Sequence, residues 1–313
     1  MPRWPVLDEL PEGVVVREAG RGVLAARAEY ADALLTQGFG PGGGDAPPAK
    51  DLAGRRPLGE LRLGDERLVV RRFQHGGMLR WATGRRFGDP ERPFRELVLA
   101  HALTGRGIAT PLVIAARARR AAVGGWLLDL VTRRIEHARD FAEWLEALRE
   151  GRVQPAARST VLASVGGLLG RMHGAGLWHA DLNPRNVLLE GEALEHGDAR
   201  PWVIDLDRSV LSPEGAALAD GARWSNLSRL LRSVLRREER GRRFLARTDY
   251  ARFLAAYAGA RGAAPAAWRD EAAGVLAAFR RSSSVHRVWW RIEEAFGGGA
   301  EHRDGGAVVR RRS

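Results

Sequence analysis

Two short stretches of the chain carry side chains that could act together on a phosphoryl group. In the first, Asp181 follows His179 by two residues, and Asn186 comes five residues later, directly before an apolar run. In the second, Asp205 ends a short apolar segment. A positioned carboxylate can accept the proton of an attacking hydroxyl, and Mg²⁺ prefers oxygen ligands such as carboxylates. These residue types and spacings therefore predict phosphoryl transfer from a metal-bound nucleotide.

The spacing of the first stretch is the one that protein kinases use in their catalytic loop. In that arrangement Asp181 would accept the hydroxyl proton and Asn186 would hold Mg²⁺ against the nucleotide phosphates. Asp205 stands where kinases carry their principal Mg²⁺ ligand. Either stretch alone has an ordinary explanation, because an aspartate after a strand is commonly a turn residue or a helix cap. Both stretches in this order indicate a kinase-like site that uses ATP and Mg²⁺.

A strand before this site should supply a cation for the phosphates. Residues 68–73 have the composition of a β-strand, at the place where kinases carry a phosphate-binding lysine. The only lysine of the chain is Lys50, so Arg71 or Arg72 must supply the cation. Successive strand residues point to opposite faces, so only one of the two arginines can enter the cleft. The sequence leaves open which one it is.

The helix that follows could hold a partner for that cation. Residues 93–101 have apolar side chains at helical spacing, with a proline near the first turn. Glu96 on this helix could pair with the strand arginine, and the alternative is an ordinary surface glutamate. Upstream, Gly54 and Arg55 open a bend where backbone N–H groups could approach phosphates, although a plain turn would look the same. The Gly- and Pro-rich residues 38–48 predict a mobile loop or linker.

The order of these elements predicts an α+β, bilobal, protein-kinase-like fold. Residues 1–131 would form a small β-rich N-terminal lobe, and residues 132–296 a larger, mostly helical C-terminal lobe. The polar, Gly-rich residues 297–313 predict a disordered tail. In the second lobe, apolar residues at helical spacing over 161–172 predict a buried helix that leads to the catalytic loop. His173 at its end is predicted to be a structural, hydrogen-bonded histidine.

Composition narrows the class of partner. The net charge is +12, and a positive surface attracts phosphate-bearing molecules. Neither zinc-finger spacing nor an aromatic RNA-binding signature accompanies the charge, so nucleic acid is not expected as a partner. Cysteine is absent, which excludes disulfides and thiolate metal sites. With no leader-like segment and no apolar run of about 20 residues, we expect a soluble or peripherally attached protein.

A helix predicted over residues 224–235 is followed by a run of arginines. Such a run is commonly a solvated helix face, and the sharper hypothesis is a docking patch for an anionic substrate. The residues are Arg236, Arg237, Arg240, Arg242 and Arg243.

Several segments together resemble the 3-deoxy-D-manno-octulosonic acid (Kdo) kinases of the lipopolysaccharide kinase family. The resemblance extends over most of the chain, from about residue 54 to residue 257. It is carried by H-A-D-L-N-P-R-N at 179–186, I-D-L-D-R at 204–208, V-R-R-F at 70–73 and W-S-N-L-S-R-L at 224–230.

The resemblance implies ATP-dependent phosphorylation of a Kdo hydroxyl on the lipid A precursor. The partner would be this anionic glycolipid, met by peripheral contact at the cytoplasmic face of the inner membrane. Carried over by position, Asp181 is the catalytic base and Asn186 and Asp205 are the metal ligands. Arg71 is the strand cation, and Glu96 is its partner.

The chain departs from the family at the nucleotide turn, and other functions stay open. The family has a small-residue nucleotide turn, whereas Gly54 and Arg55 are followed here by a bulkier, proline-bearing segment. The catalytic loop alone would also suit a phosphotransferase for another small molecule, such as an aminoglycoside, or a protein kinase. The missing lysine would suit a catalytically silent nucleotide-binding scaffold. Retention of the oxygen-bearing residues of the predicted site argues against the silent scaffold. The roles of Asp207 and Arg208, typical of the family, stay open.

Overall fold

A computed structural model describes residues 4–20, 22–49, 58–75, 85–238 and 243–282. Its strands are β1 (Val14–Ala19), β2 (Gly22–Arg27), β3 (Gly59–Leu63), β4 (Glu66–Arg72), β5 (Val113–Arg120), β6 (Trp126–Arg133), β7 (Ala138–Asp140), β8 (Leu177–Trp178), β9 (Val187–Glu190), β10 (Arg200–Val203) and β11 (Val210–Leu211). Its α-helices are α1 (Ala28–Thr36), α2 (Arg92–Gly105), α3 (Phe141–Arg149), α4 (Pro155–Gly174), α5 (Asp220–Glu238), α6 (Arg247–Ala260) and α7 (Trp268–Ser282). The predicted tail, residues 297–313, lies outside the described residues.

The N-terminal part is built on an antiparallel sheet with strand order β1-β2-β5-β6-β4-β3 in the described residues. Alternation along the strands gives the sheet two apolar faces. Leu128 and Leu130 of β6 pack in the cluster that contains Phe94 of α2. Val131, next in sequence, packs in the other cluster with Leu34 of α1. The strand predicted at 68–73 and the helix predicted at 93–101 are therefore confirmed as β4 and α2. Helix α1 and strand β2 were not predicted from the sequence.

The C-terminal part is mostly helical and is organised around α4. Its side chains at helical spacing, such as Val161 and Leu168, are fully buried, which confirms the predicted central helix. Gly166 and Gly170 face α6 at close range, because an added Cβ would lie 2.3 Å from the carbonyl oxygens of Phe253 and of Tyr257. This approach brings the end of α4 beside α6. The predicted α+β fold is confirmed, while the limits of the two lobes stay a prediction. In the described residues, no helix has both the length and the apolar character needed to cross a lipid bilayer.

The Gly- and Pro-rich segment 38–48 is packed against the sheet, so its prediction as a linker is wrong. Arg117 of β5 donates to the carbonyl oxygens of Gly40 at 3.2 Å and Gly44 at 3.1 Å. The same guanidinium donates twice to Asp129 of β6, at 2.7 and 3.0 Å, and both side chains are buried. The backbone of the segment is thus fixed by donors from a distant strand, which composition alone does not reveal.

Replacing this buried arginine should destabilise the protein. In an Arg117→Met variant, Asp129 would keep a buried carboxylate that has lost both hydrogen bonds from Arg117 and retains the longer contact with Arg119 Nε at 3.7 Å. Such a loss costs about 3–5 kcal/mol in the free energy of unfolding. Urea denaturation measures the change. The double variant Arg117→Met/Asp129→Leu should recover much of the loss because it removes the unpaired charge. If the single variant unfolds at the same urea concentration as the wild type, the ion pair does not hold the segment.

Candidate active site

The catalytic loop lies between β8 and β9 and is held by its own asparagines. The side-chain amide of Asn186 donates to the backbone carbonyl of Asp181 at 2.8 Å. The amide of Asn183 donates to the Asp181 carboxylate at 3.1 Å. Asn186 is buried, whereas the Asp181 side chain is 64% exposed and can meet a molecule from solution. Because the Asn186 amide nitrogen is used internally, its side-chain oxygen is the atom that could bind a cation.

Asp205 is brought beside this loop by the pairing of β9 and β10, in which Val187 lies opposite Val203. The backbone N–H of Ile204 donates to the carbonyl of Asn186 at 3.0 Å. Asp205 has φ of 61°, in the left-handed region that non-glycine residues adopt uncommonly. Such conformations cluster at functional sites, where the surrounding structure enforces them. The structure thus brings the two predicted metal ligands, Asn186 and Asp205, together.

Arg71 is the arginine that enters the cleft. One of its guanidinium nitrogens donates to the Asp205 carboxylate at 2.6 Å, and the other donates to Glu96. Arg72 points to the opposite face, where it donates to the carbonyl of Ala46. The planar fork of Arg71 bridges two carboxylates, a geometry that the point charge of a lysine does not provide.

Glu96 ties α2 to the backbone that follows Asp205. It is 5% exposed, and its second carboxylate oxygen accepts from the N–H of Leu206 at 3.0 Å. Burial raises the pKa of Glu96, Arg71 opposes that effect, and the charges of Asp205 and Asp207 add to it. The predicted pairing of Glu96 with the strand cation is present, and Glu96 also positions the metal-ligand segment.

A second arginine–aspartate pair lies near the first, and the arginines of both pairs lie over the ring of Phe73. Arg92, in the first turn of α2, donates through Nε to Asp207 at 3.1 Å and through a terminal nitrogen to its other oxygen. Its guanidinium stacks over the ring of Phe87 at 4.6 Å. Arg208 is 78% exposed, with φ of 59°. Arg92 was not predicted from the sequence. The available signal was Asp207, an aspartate typical of the family for which no partner had been assigned.

His179 links the predicted catalytic loop to the segment after β10 that carries Asp205. Its Nδ1 accepts from the N–H of Asp181 at 3.1 Å, and its Nε2 lies 3.0 Å from the carbonyl of Ile204. The first contact requires an acceptor nitrogen and the second a donor, so the network assigns a neutral ring protonated at Nε2. Burial lowers the pKa of His179, which favours that neutral form. The uncharged His179 ring therefore holds together the segment that carries Asp181 and the segment that carries Asp205.

Asn226 of α5 holds the backbone of His179 through two hydrogen bonds. It accepts from the N–H of His179 at 3.2 Å and donates to its carbonyl at 2.7 Å. The same Asn226 oxygen lies 3.2 Å from His173 Nε2, and His173 Nδ1 lies 2.8 Å from the hydroxyl of Tyr257. His173 is a buried, hydrogen-bonded residue, as predicted. Sequence reasoning did not assign Asn226 a role, although it lies in the W-S-N-L-S-R-L segment.

This buried network should make stability sensitive to acid. Burial lowers the pKa of His173 to about 3, against about 6.5 in an unfolded chain. Below that unfolded value the unfolded chain binds a proton that the native protein does not, so stability falls as pH falls. The expected loss is about 2 kcal/mol between pH 6.5 and pH 5. Urea denaturation across this range measures it, and a His173→Gln variant should show a smaller slope. An equal slope in both proteins would contradict the assignment.

The donor set of the site suits Mg²⁺ bound with a nucleotide. Asp205 offers a carboxylate and Asn186 an amide oxygen, both hard ligands. In the described part of the chain, no group of three or more His, Cys, Asp or Glu side chains could hold a metal ion. Mg²⁺ usually takes one or two protein ligands and completes its shell with water and phosphates. The residues therefore fit Mg²⁺ in that mode rather than an all-protein cage.

The predicted phosphate loop is flanked by paired backbone. Ala49 N–H donates to the carbonyl of Leu58 at 2.8 Å, and Glu60 N–H donates to the carbonyl of Pro47 at 2.9 Å. Gly54 and Arg55, the predicted nucleotide-binding residues, lie outside the described residues. The described residues on either side, 47–49 and 58–60, are therefore paired in an antiparallel arrangement.

Three kinds of comparison show which known proteins this chain is similar to. The sequence model of the Lipopolysaccharide kinase (Kdo/WaaP) family matches residues 65–257. A 3-deoxy-D-manno-octulosonic acid kinase of Xanthomonas euvesicatoria pv. vesicatoria is 32% identical over 238 residues, 74% of this chain and 86% of that protein. Its counterpart in Stenotrophomonas maltophilia is 33% identical over 195 residues, 60% of this chain and 70% of that protein. The solved structure of WaaP in complex with acyl carrier protein is 23% identical in sequence and has a TM-score of 0.51. The match covers 80% of this chain and 89% of the WaaP chain, which shows a shared fold.

Proposed function

Because this chain belongs to the lipopolysaccharide kinase (Kdo/WaaP) family, we propose that it phosphorylates a hydroxyl of Kdo on the lipid A precursor, with ATP as donor. The observation that supports the proposal is that hydrogen bonds join the segments that carry Asp181, Asn186 and Asp205: Asn186 donates to the Asp181 carbonyl and accepts from the N–H of the residue before Asp205. Relatives that cover most of this chain are named Kdo kinases, which supports this choice of acceptor.

Each side chain of the site has a proposed task. The exposed carboxylate of Asp181 orients the acceptor hydroxyl and takes its proton. Asn186 and Asp205 would hold Mg²⁺, which would neutralise charge on the ATP phosphates. Arg71 places a fixed positive charge at the phosphates, and Glu96 holds that guanidinium in position. Phosphoryl transfer depends mostly on such positioning and charge stabilisation, so these few polar groups suffice.

We also propose that the protein works in peripheral contact with the cytoplasmic face of the inner membrane. The acceptor is a lipid, and the chain carries a net charge of +12. Basic residues near an anionic membrane surface contribute about 1 kcal/mol each to binding. Electrostatic attraction of this kind would bring the cleft to the glycolipid headgroup.

A transfer assay tests the proposal. Purified protein, ATP and Mg²⁺ are incubated with Kdo-lipid A precursor, and with an aminoglycoside, a protein substrate or no acceptor in parallel. We expect Mg²⁺-dependent addition of a phosphoryl group to the Kdo sugar, detected by mass spectrometry and fragmentation. Transfer to a different acceptor at a higher rate would refute the choice of acceptor. ATP that stays unconsumed under all conditions would indicate a silent scaffold.

A further inference from the structure

Three arginines line the exposed side of α5 and are called here the arginine stripe: Arg229, Arg232 and Arg236. They stand at positions i, i+3 and i+7, which share one face of a helix. The stripe spans about 10 Å at the helical rise per residue. Arg229 and Arg236 are exposed, and Arg232 is half-buried. Arg236 alone belongs to the basic run predicted from the sequence, whose members Arg240 and Arg242 lie outside the described residues.

The stripe begins at the catalytic carboxylate. A guanidinium nitrogen of Arg229 lies 3.8 Å from Asp181 Oδ1, and the two side chains are 46% and 64% exposed. A hydroxyl that gives its proton to Asp181 must come within hydrogen-bond distance of that carboxylate. The atoms beside the hydroxyl then lie within reach of Arg229. The position of Arg229 therefore distinguishes it from an arginine on an ordinary solvated helix face.

Electrostatics along the stripe favour an anion. Like charges three and four residues apart on a helix destabilise it. Burial lowers the pKa of Arg232, and the charges of Arg236 and Arg229 lower it further. A ligand with several negative groups would relieve this repulsion and gain charge-assisted hydrogen bonds, which guanidinium forms well with carboxylate and phosphate.

We propose that the arginine stripe recognises the oxyanions of the acceptor, and that Arg229 holds the oxyanion beside the reacting hydroxyl. Arg232 and Arg236 hold negative groups farther along the same molecule. The inference rests on the proposed function and adds a requirement to it. The acceptor must carry an oxyanion next to its phosphorylated hydroxyl, as a sugar acid does with its carboxylate, and further charge within about 10 Å along the helix.

Charge-removing variants test the stripe. We expect Arg229→Gln to raise KM for Kdo-lipid A precursor roughly 10- to 100-fold, with kcat and the KM for ATP within about twofold, because a binding contact to the acceptor is lost. Arg232→Gln and Arg236→Gln should give smaller increases. Arg17→Gln, an exposed arginine on β1, removes the same charge away from the cleft and should leave KM unchanged. Thermal melting of all four variants checks that the fold is kept.

Chemical changes to the acceptor show which of its anionic groups Arg229 recognises. With the sugar carboxylate methyl-esterified, wild-type KM should rise and Arg229→Gln should add little further. If dephosphorylation of the lipid removes the effect of Arg229→Gln instead, the assignment of Arg229 to the anion beside the hydroxyl is overturned. Equal KM for wild type and Arg229→Gln with the native acceptor overturns it as well.

Binding measurements keep the inference distinct from the proposed function. Sedimentation with vesicles that contain Kdo-lipid A precursor reports acceptor binding without turnover, and phosphatidylglycerol vesicles report general attraction to an anionic membrane. If the variants lose binding to both vesicles equally, the stripe is a membrane contact and the inference fails. If wild type transfers no phosphate but binds the acceptor through Arg229, the proposed function fails and the inference stands.

Discussion

Asp181→Asn should lower kcat by about 10²- to 10⁴-fold, the usual contribution of a positioned acid or base. The amide has the size of the carboxylate and can keep the contact with Asn183. It cannot accept the proton of the acceptor hydroxyl, so the chemical step loses its base. The Kd for ATP should change little, because the proposed nucleotide contacts come from other residues. Single-turnover transfer and an ATP-binding titration measure the two quantities.

Asp198→Asn is the matched control for this variant. Asp198 is an exposed aspartate of the same lobe, outside the proposed site, and its replacement makes the same change of charge. It should leave kcat and ATP binding unaltered. Full transfer activity in Asp181→Asn would show that Asp181 is not the base. A parallel loss of ATP binding would show that it acts on the nucleotide.

Arg71→Met should lower kcat/KM by about 10²- to 10³-fold, as removal of a fixed charge at a developing anion does. Arg71 contacts both Glu96 and Asp205, so its loss also releases the segment that carries the metal ligand. The buried Glu96 would lose its partner, and we expect a fall of about 3–5 kcal/mol in the free energy of unfolding. Arg71→Lys should recover only part of the activity, because an ammonium does not bridge both carboxylates.

Arg72→Met is an unusually close control for Arg71→Met. The two residues are adjacent on β4, and Arg72 contacts the carbonyl of Ala46 on the opposite face of the sheet. We expect its kcat/KM to stay within about threefold of the wild type, since among the described residues Glu96 and Asp205 contact β4 through Arg71 on the other face. Steady-state kinetics and urea denaturation on both variants separate catalysis from stability. If Arg72→Met lowers kcat/KM more than Arg71→Met does, the assignment of Arg71 as the cation of the site is wrong.

The choice between Arg71 and Arg72 marks the limit of what alternation can predict. The pattern of the strand established that one arginine faces the cleft, because neighbouring side chains point to opposite faces. Which one it is depends on which face α2 covers. That follows from the sheet register, in which Arg71 lies opposite Leu130 of β6, and from the packing of Glu96.

The segment 38–48 was mispredicted for a related reason. Its glycines and prolines are typical of a loop without fixed partners. The partner that fixes it, Arg117, is 77 positions away from Gly40 in sequence. An arginine in a strand gives no indication of which carbonyl groups it will meet. Local composition correctly predicted an irregular backbone for this segment. It wrongly predicted that the segment would lack packing contacts.

The sequence by itself determined the candidate reactive groups of this protein: Asp181, Asn186 and Asp205, in an order and spacing that one turn and one strand pairing bring together. Only the tertiary structure decided how that site is held and what it faces. Arg71 meets Asp205 across 134 positions, Arg92 meets Asp207 across 115, and Asn226 meets His179 across 47. Local spacing fixes the geometry within a turn, whereas contacts between distant residues exist only once the helices and strands that carry them have packed.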